Sequence, residues 1–166
     1  MKLIVTLLVL FTSGIALAEV KIAFIEIRYP DGQIHQMEPG GRFSHIAISY
    51  RGKWLHTHPY RGVEAVSLED LKKMGTVSIM ILPSLSEISQ EQFDFYNGQP
   101  YDPTFSWDGQ GYYCSELVGK ILNIKPQPMD FKAEIWGGKK KNESLGLSPD
   151  DIFRALQKAP RCESIF

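Results

Sequence analysis

The chain has 166 residues, with Lys+Arg 18 against Asp+Glu 19 and a net charge of −1, so it lacks the broad positive field that nucleic-acid binders use. At this length a chain buries roughly two-thirds of its unfolded surface, so a real core is available and stapling by disulfides is not required. Two cysteines could form at most one bridge in any case.

Residues 1–18, MKLIVTLLVLFTSGIALA, open with Lys2, continue as an apolar run and end in Ala16-Leu17-Ala18, the small-x-small form of a signal-peptidase site. The unbroken apolar stretch falls short of the ~20 residues a spanning helix needs, because Thr12-Ser13-Gly14 interrupts it. No cysteine follows the site to carry a lipid. The expectation is a cleaved signal peptide, then one domain over 19–166, periplasmic or secreted, with no stable membrane anchor.

No repeat, low-complexity block or linker divides residues 19–166, and the pattern of strands first and helices after reads as α+β. EVKIAFIEIR alternates, Tyr29-Pro30-Asp31-Gly32 signals a turn and QIHQM returns, which predicts a hairpin. SHIAISY reads as a strand joined through the tight turn Arg51-Gly52 to KWLHTHP. Ser67 and Asp70 form a capping pair ahead of the short helix LKKMG, ended by Gly75. TVSIMIL is a buried strand that Pro83 stops. Ser89 and Gln92 open the helix SQEQFDFY, closed by Asn97-Gly98. A long loop, QPYDPTFSWDGQG, leads to the helix YYCSELVGKILN. The lysine run at 139–141 reads as a solvated loop. Ser148 as cap and Pro149 at the first helical position begin the last helix.

In YYCSELVGKILN, Leu117, Val118, Ile121 and Leu122 form the buried stripe, and Cys114, three and four residues before the first two, shares their face. Its sulfur is therefore expected to point at the sheet from the helix's leading end, where free N–H groups and the dipole stabilise a thiolate. Those same N–H groups suit the oxyanion of a tetrahedral intermediate. Two other readings stand beside this one: a small buried hydrophobe, and a Cys114–Cys162 bridge, which the position of Cys162 in the tail APRCESIF disfavours. Glu116 is explained most simply by the helix dipole.

A nucleophilic cysteine needs a base. His35 lies in QIHQM, expected to be exposed, and is set aside. If Arg51-Gly52 is a two-residue turn, Tyr50 pairs with Lys53; counting outward, His45 falls opposite His58, and His56 is one step diagonal to His45. Alternation along strands then puts His45, His56 and His58 on one face. Small Ala47 and Ser49 share that face and would let the cysteine helix pack against it, with His45 as proton acceptor and His56 orienting it. The alternative is that these histidines only solvate the sheet. Tyr101, Phe105 and Trp107 on the loop, with Tyr113 beside the thiol, read equally as the apolar wall of a substrate cleft or as hydrophobic plugs.

FSHIAI, WLHTHPYRGV, PYDPTF and YYCSELVG resemble the circularly permuted papain-like cysteine hydrolases of the NlpC-type superfamily, especially the YiiX-like branch. The likeness covers roughly residues 40 to 123, with the histidine ahead of the cysteine as permutation requires. It implies an antiparallel sheet or partial barrel packed against helices, Cys114 as nucleophile, His45 as general base, and His56 as third residue with His58 in reserve. Many members of the branch carry glutamate at that third position, so this chain departs from the pattern there. The resemblance further implies an exported amidase or peptidase that needs no cofactor or metal, acting on a peptide or amide substrate such as a peptidoglycan stem peptide. Three alternatives remain: an acyltransferase or thioesterase on lipid esters, a zinc site on His45, His56 and His58, and a binding module without turnover.

Overall fold

Strand β1 (Glu19–Glu26) is apolar on both faces and accordingly takes the middle of a sheet. The computed structural model describes residues 19–132, 145–158 and 163–165; residues 1–18, the lysine run and Cys162 lie outside them. Six strands form one antiparallel sheet: β2 (His45–Tyr50), β3 (Lys53–His58), β4 (Gly62–Val66), β5 (Thr76–Ser86) and β8 (Glu163–Ile165) join β1 in the order β4-β3-β2-β1-β5-β8. A two-stranded ribbon pairs β6 (Gln127–Pro128) with β7 (Leu145–Gly146).

The two faces of the sheet are covered unequally. Val20, Ile22 and Phe24 of β1 point one way with Ile46, Ile48, Leu55 and Met80, and onto this face pack helices α3 (Cys114–Ile121) and α4 (Pro149–Gln157) through Leu117, Val118, Ile152 and Leu156. The opposite face holds Ala23, Ile25, Ala47 and Trp54, against which α1 (Leu68–Lys72) brings Leu71. A seven-residue helix, α2 (Gln90–Tyr96), stacks Phe93 on the Tyr50 ring at 4.2 Å. The chain is thus α+β with an antiparallel sheet between helices. Among the described residues no helix is long and apolar enough to cross a membrane.

Several local expectations hold. Tyr50 pairs with Lys53 across Arg51 and Gly52, both at positive φ (45° and 76°), the backbone of a mirror-image tight turn. Ser67, Ser89 and Ser148 each cap a helix within a complete capping box.

Two expectations are corrected, and further strands appear that the sequence did not announce. After β1 the chain makes the predicted turn, but QIHQM contributes only a single bridge, Arg28↔Ile34; β1 instead pairs with β2 and β5, whose apolar residues bury far more surface than a polar QIHQM could. Strand β5 does not stop at Pro83 but runs to Ser86, because the register against β1 jumps from Val20↔Leu82 to Glu19↔Ser86 and the bulge so formed asks no N–H of the proline. Strands β4 and β8 were not expected at all; β8 turns part of the tail into an edge strand beside Ile79, Met80 and Ile81.

Candidate active site

The hairpin β2–β3 places three imidazoles on one face. His45 and His56 are buried, their rings perpendicular with centroids 5.1 Å apart, and His45 Nε2 lies 2.9 Å from His56 Nδ1. His58 stands further out, 6.5 Å from His56 between ring centroids, and its Nδ1 accepts the Tyr60 N–H at 3.1 Å. Behind His56, on the neighbouring strand, the register sets Glu64 opposite, and Glu64 Oε1 reaches 3.3 Å from His56 Nε2. The contact lies off the hydrogen-bond axis, and among the described residues no other acceptor reaches that nitrogen. Arg61 grips the outer side of the carboxylate with three donor contacts of 2.6 to 3.0 Å.

Cys114 is the first residue of α3, free and only 6% exposed. The helix does not pack on the Ala47–Ser49 side, as expected, but on the opposite face, against Ile46, Ile48 and Leu55. The larger apolar side chains decide this, since fully burying one contributes about 1.5–3 kcal/mol and alanine or serine offers much less. Cys114 and His45 nevertheless line one cavity, of about 370 Å³, together with Ser44 and Thr57. Ser44 fixes the start of β2 by donating its N–H to the Ile25 carbonyl at 2.9 Å and its hydroxyl to the His35 carbonyl.

Burial governs the electrostatics. It pushes the Cys114 thiol up to about 11, although the Ser115 hydroxyl and the N–H groups of Ile46, Ser115 and Cys114 pull the other way. The helix dipole therefore does not win here, contrary to the sequence expectation. Burial, and then the neighbouring His56 and His58, bring His45 down to about 3. His56 is also lowered, first by burial, with Glu64 opposing. At rest the thiol is neutral, and so are the imidazoles of His45 and His56.

Two of the four expected aromatics reach the cavity: Tyr101 and Phe105. Their loop is held by Asp102, which accepts the N–H groups of Thr104 at 2.7 Å and Ser106 at 2.9 Å, while Phe105 takes a positive φ of 50°. Trp107 and Tyr113 go elsewhere. Trp107 lies on Gly119, where an added Cβ would come within 3.0 Å of its ring, and Tyr113 is wholly buried with its hydroxyl accepting the Leu147 N–H at 3.2 Å. Glu116 is fully buried too. Its carboxyl is pushed up to about 7, first by burial. Lys120 Nζ comes within 2.9 Å of it but leans over the Trp107 and Tyr112 rings, leaving Oε1 without an aligned donor.

The structure also adds residues that the sequence reading passed over. His35, set aside as exposed, lines the cavity with its Nδ1 buried and, among the described residues, without a hydrogen-bond partner, and Met37 and Met74 form part of the apolar wall. Glu64 was missed because β4 was missed; the signal was there in PYRG followed by the short alternating run VEAV. As for a metal, no three His, Cys, Asp or Glu side chains among the described residues gather into a set that could hold one. The facing nitrogens of His45 and His56 are spent on each other, so the zinc alternative does not fit this donor set.

No protein-family model matches the chain, and no curated protein matches it. Among solved structures it is similar to the crystal structure of the metalloprotein YiiX from Escherichia coli O157:H7, with a TM-score of 0.63 over 91% of this chain and 97% of that one at 21% identity. At that identity the likeness shows the fold alone: this chain has a YiiX-like fold.

Proposed function

We propose that the chain is an exported cysteine hydrolase of the circularly permuted papain-like, NlpC-type class, cleaving an amide bond with Cys114 as nucleophile and His45 as general base. The observation that carries this is the free thiol at the leading end of α3 sharing a cavity with an imidazole that a second imidazole holds at 2.9 Å. His45 takes the thiol proton as sulfur attacks the carbonyl carbon, and the Cys114 backbone N–H faces the oxyanion that forms. The tetrahedral intermediate collapses with loss of the amine, which takes the proton from His45. Water, deprotonated in turn by His45, then releases the acid and regenerates the thiol. Neutral partners do not prevent this: proton transfer creates thiolate and imidazolium side by side, and each offsets the other's cost of burial.

A peptidoglycan stem peptide is the substrate suggested by export and by the resemblance. A second reading is favoured by the cavity itself, whose apolar wall is made by Ile27, Met37, Pro59, Met74, Tyr101 and Phe105 and which, among the described residues, has no Asp, Glu, Lys or Arg in its lining. Such a wall suits the acyl chain of a lipid ester or thioester better than the carboxylates of a stem peptide. The structural neighbour is called a metalloprotein; among the described residues no three metal-ligating side chains gather at this cavity.

The test is labelling with an acylating probe and mass mapping of the modified residue in the wild type and in His45→Ala. Label on Cys114 that falls at least tenfold in the variant is expected, and equal labelling in both removes the base assignment. Turnover of muropeptides against long-chain acyl esters chooses between the substrates. Activity that survives alkylation of Cys114 but is lost to a chelator would overturn the cysteine chemistry altogether.

A further inference from the structure

Four groups lie in a row from the cavity to the surface: His45, His56, Glu64 and Arg61. A single proton is shared between His45 Nε2 and His56 Nδ1 in neutral imidazoles, so one of the two nitrogens donates and the other accepts. Nothing in that contact says which. If His56 donated from Nδ1, its Nε2 would carry a bare lone pair 3.3 Å from the half-buried Glu64 carboxylate, two electron-rich groups set against each other. With the proton on Nε2 instead, His56 presents an N–H to a carboxylate, and among the described residues no other acceptor reaches that atom. His56 Nδ1 is then the acceptor and His45 Nε2 the donor. The remaining nitrogen of His45, Nδ1, carries no proton, and it is the one left for the cavity that His45 shares with Cys114.

We propose that Glu64 is a positioning residue that sets the tautomer of both imidazoles in series, so that His45 keeps an unprotonated Nδ1 with which to receive the Cys114 proton. The significance for catalysis rests on the hydrolase reading above; the tautomers themselves do not. When the thiol proton moves to His45 Nδ1, His45 becomes imidazolium, its Nε2–H still donates to His56 Nδ1, and His56 Nε2–H stays beside the carboxylate, 3.3 Å from Oε1, so no further proton needs to transfer. The opposite tautomer pair would leave His45 with N–H towards the thiol and unable to act as base. A plain surface ion pair between Arg61 and Glu64 is the competing account of the same carboxylate.

The experiment separates them. Two-bond proton–nitrogen correlation spectra of the uniformly 15N-labelled protein at pH 7 read each histidine's tautomer directly. In the wild type both His45 and His56 are expected as Nε2–H. Glu64→Ala is expected to turn His56, and with it His45, into a mixture of tautomers, and to lower acylating-probe labelling of Cys114 at least fivefold. Arg61→Ala breaks the same ion pair but leaves the carboxylate, and is expected to keep both tautomers. His56 found as Nδ1–H in the wild type overturns the proposal even if no variant folds; so do spectra unchanged in Glu64→Ala, or changed alike in both variants. Labelling of Cys114 that ignores His45→Ala would instead sink the hydrolase reading, with the tautomers still deciding this one.

Discussion

The thiol at Cys114 and the imidazole at His45 are each pushed away from charge by burial, to about 11 and about 3. Between those limits the resting protein holds an uncharged pair. An established thiolate–imidazolium pair would react with iodoacetamide at a rate nearly flat from pH 5 to 8. Here the rate is expected to climb with pH through that range and on towards 11, as thiolate forms by loss of a proton to solvent. A flat profile, followed by mass spectrometry of the Cys114 peptide, would overturn the neutral pair. Cys114→Ala is expected to abolish turnover while far-UV circular dichroism stays unchanged, since a residue this small leaves little cavity behind. At this scale the sequence was informative wherever one local rule sufficed. Period-two alternation across Arg51-Gly52 is enough to gather His45, His56 and His58. The state of the thiol was misread because a helix-end argument sees the dipole and not the depth of burial. His35 and Glu64 were missed because each reaches the site through a long-range or unexpected element.

Among the elements, the helix starts carry clear costs. Ser148 accepts the Asp151 N–H at 2.9 Å and gives its own proton to Glu38 at 2.6 Å, both buried, so Ser148→Ala strands two groups. A loss of about 2–3 kcal/mol is expected. Ser67 caps α1 at the exposed surface, and Ser67→Ala is expected to cost only about 0.5–1 kcal/mol. Urea unfolding of the two variants checks the order; equal losses would mean that the Glu38 contact contributes nothing. Gly62 opens β4 at φ +71°, and a Cβ there would sit 2.1 Å from the Gln99 carbonyl oxygen. Gly62→Ala is therefore expected to destabilise by more than about 2 kcal/mol and, by shifting β4, to loosen Glu64 from His56. Serine caps were legible because a capping box is a four-residue pattern. Strand β4, the bulge at Pro83 and the edge strand β8 were not, because each depends on a partner strand far away in sequence.

For the molecule as a whole, the choice of face was beyond the sequence. Periodicity told which residues of β2 lie together but not which side α3 would take, and the apolar area of Ile46, Ile48 and Leu55 settled that. One result of this packing is an interior with titratable groups that pull stability in opposite directions. His45, at about 3 when folded against an ordinary value of 6.5, contributes stability that is complete above 6.5 and is lost as pH falls towards 3, because only the unfolded chain takes up the proton. His56 acts in the same sense. Glu116, pushed up to about 7 from 4.5, contributes stability that is complete below 4.5 and lost as pH rises through 7, and Asp150 is raised as well. Between pH 4.5 and 6.5 these effects oppose, and the wild type is expected to change little. Glu116→Gln removes one side of the balance, so its stability should fall on acidification by about 1.4 kcal/mol per pH unit for each imidazole that stays neutral. His45→Asn removes part of the other side and should flatten or reverse that slope. Urea midpoints of the three proteins at pH 6.5 and 4.5 decide it. If all three show the same slope, His45 and Glu116 are not the groups that the packing of α3 has placed in opposition.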